Sequence, residues 1–365
     1  MALTKVTTGT IADDSIQSLK NRNLIINGAM QVAQRGTSKA SVGQEYATVD
    51  RFRTNGTTGT FTMSQESDGP NGFSYSLKML STANITPSAG DLKEVYVSLE
   101  GQNLQHLKKG TSDAENVTLS FYVKSNVTGT KTVYLLDKDN TRLISANYTI
   151  SSSATWEKKT ITFSGDTTGA FNNDNGRSLD VHFPIVAGTN YTSGTQATSW
   201  AADVATNRIS SSITQIDATN DYWQITGVQL EVGDVATPFE HESFGQTLAK
   251  CQRYYTKSYN YEVSPGTNTN VGGVYMRGSS ADSVTNKTVN VSFPVSMRAN
   301  PTYTLYSLGG TSGAISDCGV GFSESTAMTG SSINSPQGTK GFSRLTSGTS
   351  VNDTIGLHFV ADAEL

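Results

Sequence analysis

The 365-residue sequence contains only two cysteines, Cys251 and Cys318, only eight prolines, and no apolar run longer than the four residues 133–136. Two cysteines cannot build a disulfide framework, so both are expected as reduced, packed thiols rather than as a bridge. A run of four falls far short of the roughly 20 apolar residues of a membrane span. The opening Met1-Ala2-Leu3-Thr4-Lys5 leads into threonines rather than a signal-peptide core. The chain therefore reads as soluble and made in a cytoplasm, with no membrane insertion. Charge is also scarce, at 16%, and Lys+Arg 27 against Asp+Glu 31 leaves a net −4 with neither sign gathered into a block. That gives no footprint for nucleic acid. The four histidines, His106, His182, His241 and His358, lack zinc-site spacing. There is no Gly-Lys dipeptide for a phosphate loop and no Gly-x-Ser-x-Gly elbow for a hydrolase serine.

Serine and threonine are what the sequence has in abundance: together they number 93 of 365, against a hydrophobic share of 35%. Between Asn23 and His241 apolar and polar residues alternate in short bursts separated by Gly, Asn, Asp and Ser, the pattern of antiparallel strands. Val117, Leu119, Phe121 and Val123 form the clearest burst, and others fall at 75–80, 95–99, 132–137, 143–150, 156–163, 178–186 and 222–232. The expected fold is all-β, a jelly-roll β-sandwich over 23–242, interrupted by a long polar loop at 188–219.

Residues 243–257 read as a linking helix. Ser243 can cap it, and Phe244, Leu248, Cys251 and Tyr255 follow at helical spacing along one stripe. The stripe is either a lid on the sandwich core or a contact in an intersubunit bundle. Residues 258–365 resume strands, at 273–276, 287–294, 301–308, 318–322 and 354–360, and form a second, smaller β domain with loops at 309–316 and 329–341. Residues 1–22 have too little apolar surface to fold alone and are expected to order against a partner or a second copy of the same segment.

Candidate chemistry is sparse. The carboxylates within 91–100 belong to a strand and are either solvated charges or one half of an acid–base pair. Tyr191 and Trp200 stand in the long polar loop. Each either packs on the sandwich or offers its ring to a ligand. Asn-x-Ser/Thr triplets are a by-product of composition.

The run Asn23-Leu24-Ile25-Ile26-Asn27-Gly28-Ala29-Met30, followed by Gln34-Arg35-Gly36 and Val49-Asp50-Arg51-Phe52, resembles the opening of a β-sandwich module of bacteriophage tail-fibre and tail-fibre-like proteins. The runs Ile225 to Gly233, Ala236-Thr237-Pro238-Phe239-Glu240 and Cys251-Gln252-Arg253-Tyr254-Tyr255 resemble the end of the same module. Between them, Leu99-Glu100-Gly101, Val117 to Lys124 and Trp156-Glu157-Lys158 resemble the jelly-roll carbohydrate-binding modules attached to polysaccharide hydrolases. Phe293 to Pro301 and the ending Ala361 to Leu365 carry a weaker likeness over the second domain.

The resemblance implies a virion protein of the tail, made in a host bacterium's cytoplasm. It implies a protein that is usually trimeric and often touches the host surface, and it names no ligand; the expectation is a homotrimer that attaches to other tail proteins through residues 1–22 and binds a host-surface glycan. Carbohydrate-binding relatives use the concave sheet or a loop rim. No fixed aromatic motif matches here, so Tyr191 and Trp200 are the glycan-binding candidates, with the loops around Tyr306 and Phe342 as the fallback. Phe244, Leu248, Cys251 and Tyr255 are the trimer-contact candidates. No cofactor is expected, although some relatives hold a structural calcium near the first strand, for which Asn27 and Glu231 are suggestive. A non-receptor structural role, as a tail adaptor or capsid decoration with an inert sandwich, is the alternative. Enzymatic depolymerisation is disfavoured because no β-helix repeat is present.

Overall fold

The computed structural model describes residues 21–56, 58–277, 287–319, 321–346 and 354–365. All but two residues of the attachment segment expected at 1–22 lie outside this set.

The first part of the chain contributes β1 (Ser38–Lys39), β2 (Phe52–Asn55), β3 (Phe61–Glu66), β4 (Ser76–Ser81), β5 (Leu92–Glu100), β6 (Val117–Ser125), β7 (Gly129–Asp137), β8 (Arg142–Ile150), β9 (Glu157–Phe163) and β10 (Arg177–Ala187). Helix α1 (Thr189–Thr192), β11 (Ala201–Ala202) and β12 (Tyr222–Val232) complete it. These strands make two six-stranded antiparallel sheets, ordered β1-β3-β4-β12-β6-β9 and β11-β8-β7-β10-β5-β2. The protein is an all-β sandwich, as the alternation predicts.

The reason is visible in β6. Val117, Leu119, Phe121 and Val123 all enter one core, shared with Leu77 and Met79 of β4, Trp223 and Ile225 of β12, and Val181 and Phe183 of β10. Burying each such side chain is worth roughly 1.5–3 kcal/mol relative to exposure. The Phe121 ring meets Tyr148 and Phe183 edge-on, at 5.1 and 5.3 Å, and the Trp223 indole donates to the Tyr148 hydroxyl at 3.0 Å.

The two ends of the sandwich are zipped together. The Glu240 carboxylate accepts the backbone N–H groups of Asn21, Arg22 and Asn23, and Leu24 donates to the Leu230 carbonyl. Gly28 sits so close to β12 that a Cβ there would lie 2.0 Å from the Val228 carbonyl oxygen, so only glycine fits.

Helix α2 (Phe244–Gln252) begins with a Ser243–Gln246 capping box. It ends earlier than the sequence suggests, because Tyr255 has already entered a strand, β13 (Tyr255–Lys257). That strand joins the later sheets, together with β14 (Val274–Arg277), β15 (Lys287–Ser292), β16 (Thr302–Tyr306), β17 (Ala314–Asp317), β18 (Thr326–Thr329), β19 (Ser332–Gly338), β20 (Gly341–Thr346) and β21 (Thr354–Asp362). Strand β21 is the hub, pairing with β13, β14, β16 and β17, while β15, β20 and β19 form a separate sheet. Three local expectations are corrected. The expected loop at 309–316 contains the start of β17, the expected loop at 329–341 contains β19 and the first residue of β20, and among the described residues of 318–322 no strand forms. Cys251 and Cys318 are free, buried thiols.

Candidate functional site

The outer face of the second sheet is where alternation placed polar residues, and the structure seals it. His182 of β10 lies between the rings of Tyr96 and Tyr134, stacked at 4.8 and 4.5 Å. Its Nδ1 is 3.2 Å from Glu94 and its Nε2 is 3.4 Å from Asp180. Tyr134 donates to Glu94 at 2.7 Å, and Arg177 and Ser98 donate to Asp180. Burial opposes charge on the imidazole, yet the two carboxylates outweigh it and raise its pKa. Burial likewise raises Asp180, but hydrogen bonds from His182 and Arg177 more than offset this and hold it at about 2. His182, Glu94 and Asp180 are all buried. Of the carboxylates within 91–100, Glu94 is therefore part of an internal ionic cluster, Glu100 is buried and ion-paired with Arg253, and only Asp91, which accepts the Ser88 N–H, stays partly exposed.

The loop at 188–219 folds onto this same sheet. Ala197, Ile209 and Ile213 join Leu92, Tyr134, Leu136 and Leu143 in a satellite core, with Tyr191 packed at its edge. Trp200 packs against the main core, its indole N–H donates to the Ser164 carbonyl at 2.7 Å, and Lys109 lies 5.5 Å from its ring. Both glycan-binding candidates are half-buried packing residues, because an aromatic in a polar loop lowers its hydration cost by covering apolar strand surface. Phe342 is buried in the second core, and Tyr306 packs edge-on against Tyr259.

The expected trimer stripe also comes apart. Cys251 and Tyr255 are buried within the chain, Tyr255 in β13 beneath the Arg35 guanidinium at 3.7 Å. This corrects their assignment as trimer contacts, since internal packing already consumes them. Leu248 is half-buried and Phe244 is 43% exposed.

Phe244 instead borders a cleft of about 470 Å³ between the sandwich and the segment after β13. Its ring stands edge-on to Tyr261, 5.1 Å away at 88°, and Tyr75 adds a third ring. Polar lining comes from Gln31, Gln34, Thr37, Gln65, Ser67, Glu262 and Ser264. The walls are riveted together. The Tyr261 hydroxyl donates to the Gln31 carbonyl and accepts the Ala33 N–H. The Lys257 ammonium donates to the carbonyls of Gln34, Tyr261 and Val263 at 2.6–2.9 Å. Behind the wall, Gln34 is fixed by Asp50, through its backbone N–H at 2.9 Å and its amide at 2.5 Å. Burial lowers the Lys257 pKa to about 8 and raises that of Tyr261 to about 12. Sequence reasoning missed this cleft, since its residues are drawn from positions more than 200 apart. The only local signal was Phe244, an apolar residue directly after a helix cap.

A second cleft, of about 450 Å³, is lined by Leu24, Ile26, Asn103, His106, Lys250 and Arg253 among others. Its cations are already paired, Lys250 with Glu242 and Arg253 with Glu100.

Asn27 and Glu231 do not fit a calcium site. The Asn27 amide donates to the Val32 and Asp50 carbonyls while its oxygen accepts the Val32 N–H. Glu231 accepts from Gln229 and from both the N–H and the hydroxyl of Thr237. Among the described residues, no group of three or more His, Cys, Asp or Glu is arranged to hold a metal ion.

No family model and no curated protein matches the chain. Among solved structures it is similar to the enzymatically active domain of tailspike protein 4 of bacteriophage CBA120, at 16% identity over 57% of this chain, with a TM-score of 0.32. It spans about a fifth of that protein's length, 21%. It is also similar to a family 11 carbohydrate-binding module from Clostridium thermocellum, at 10% identity over 55% of this chain and 99% of the module, TM-score 0.29. A xylan-binding domain from Paenibacillus barcinonensis matches at 12% identity over 59% of this chain and 96% of the domain, TM-score 0.27. The β-sandwich assignment rests on the strand pairings themselves.

Proposed function

We propose that this chain is a non-catalytic, carbohydrate-binding virion protein: a trimeric tail fibre, made in the cytoplasm of a bacterial host, that binds a glycan of the host surface. The junction cleft carries the reading. It combines three aromatic rings, one of them well exposed, with amide and hydroxyl side chains, the mixture that covers the apolar face of a sugar while replacing the water on its hydroxyls. Its lining contains a single carboxylate, Glu262, whereas glycoside hydrolysis ordinarily needs two flanking the bond. The tail-fibre likeness of the runs at 23–30 and 225–233 supports the virion setting, with residues 1–22 as the attachment segment to other tail proteins.

The test is retention of the purified chain on host-surface polysaccharide, with reducing-end release measured in parallel. Retention without release is expected. Light scattering should give three times 38.9 kDa. Release that a single carboxylate substitution abolishes would sink the non-enzyme reading, and a stable monomer would sink the trimer.

The alternative, an inert spacer, draws on a specific observation: the polar face of the second sheet is closed by the chain's own loop and ionic cluster. On that reading the full chain retains no host polysaccharide and removal of the cleft rings leaves adsorption unchanged.

A further inference from the structure

Resting on the carbohydrate reading, we infer that the junction cleft selects a neutral glycan segment, built of uncharged pyranose units, and discriminates against uronate, sialate or sulfate.

The inference comes from a charge inventory. Among the described residues, no lysine, arginine or histidine lines the cleft, and its one charged lining residue is the exposed Glu262. An acidic sugar bound there would meet a like charge with no cation to offset it.

The neighbouring cations do not change this, because their donors are committed elsewhere. An ammonium has three N–H donors, and Lys257 directs them to three backbone carbonyls. Arg35 is held over the Tyr255 ring and ion-paired with Asp362 and Glu364. Asp50, the remaining titratable group behind the wall, is a carboxyl bonded to Gln34 and adds no cation.

What the cleft does offer is uncharged. The side chains of Gln31, Thr37 and Ser67 make no hydrogen bond to any described residue, so both donors and acceptors are available to sugar hydroxyls. Phe244 and Tyr261, perpendicular to one another, form a corner that can cover one face and one edge of a pyranose. The second cleft differs in having Lys250, Arg253 and His106 on its lining, although Lys250 and Arg253 are spoken for by Glu242 and Glu100.

The experiment uses the full chain in affinity electrophoresis against dextran, a galactan and a soluble chitin oligomer as neutral probes, with polygalacturonate and dextran sulfate as acidic ones. Retardation by at least one neutral probe and by neither acidic probe is expected. Phe244→Ala should weaken the neutral interaction about tenfold with an unchanged melting temperature and particle mass. Glu262→Lys, at an exposed position, should bring in acidic binding. If no probe retards the protein, the carbohydrate reading itself fails and the inference falls with it. If the acidic probes bind better than the neutral ones, the inference fails while the carbohydrate reading stands. Neutral binding untouched by Phe244→Ala would move the site elsewhere, and a mass change in that variant would make Phe244 a contact between copies. Either result overturns the assignment.

Discussion

The Glu364 carboxylate forms a buried ion pair with the Arg51 guanidinium, which also stacks 3.4 Å over the Tyr254 ring and donates to the Ser98 carbonyl. One arginine of the sandwich thus reaches the end of β5, the segment after α2 and the last strand's extension. Arg298 secures the same tail from the other side, donating to the carbonyls of Ala363 and Glu364.

Removing one partner of a buried pair leaves an uncompensated charge and typically costs about 3–5 kcal/mol. Glu364→Ala is therefore expected to destabilise the chain by that order. Calorimetry should resolve two transitions where the parent shows one, because the ion pair couples the sandwich core to the second hydrophobic cluster. A single, unshifted transition would mean that the pair contributes nothing to the coupling.

His182 links stability to pH. Its pKa in the fold lies above the ordinary 6.5, so its contribution is complete below about 6.5 and is lost as pH rises through the raised value. Urea midpoints should fall across that interval. His182→Leu should remove the slope and, by leaving the buried Glu94 without its cation, cost about 3–5 kcal/mol at neutral pH.

Lys93, Lys131 and Lys257 act in the opposite sense. Burial holds each at about 8, below the ordinary 10.5. Between these values the unfolded chain binds protons that the fold has released, so folding stability rises with pH there. Urea midpoints should climb from about pH 8 until tyrosine ionisation sets in near 10. Lys93→Met should flatten the climb; an unaltered slope in that variant would show that Lys93 titrates normally.

Trp200→Ala is expected to lower stability by about 1–3 kcal/mol, because it removes a ring packed on the main core and orphans the Ser164 carbonyl. Glycan retention by the folded variant should match the parent. Normal melting together with lost retention would restore Trp200 as a sugar platform.

Most of the sandwich was legible because sheets with one core face impose a two-residue period. The burst at 222–232 became β12 without a shift, and those at 95–99 and 178–186 became β5 and β10 with only their ends extended. Strands β2, β3 and β17 were missed because short or Gly- and Ser-flanked segments carry too few alternations to stand out. The period also misled in one respect. It marks which residues leave the core, not which meet water, so Glu94 and His182 read as a wet face when the loop at 188–219 covers that sheet. The cleft was hidden for a different reason. Gln34 and Tyr261 meet only because Lys257 and Asp50 tie distant loops, and such convergence has no local pattern.

Those ties have a consequence for how the protein withstands its surroundings. Lys93 reaches the carbonyls of Val42, Gly43 and Gly56, as Lys257 reaches those of Gln34, Tyr261 and Val263. A ring of backbone oxygens around a positive centre is how proteins commonly pin loops with a bound metal. Here the positive centre is attached to the chain by its own side chain, so it cannot be diluted away or stripped by a chelator. The loops that frame the cleft stay pinned in media where an ion-clipped surface would come loose.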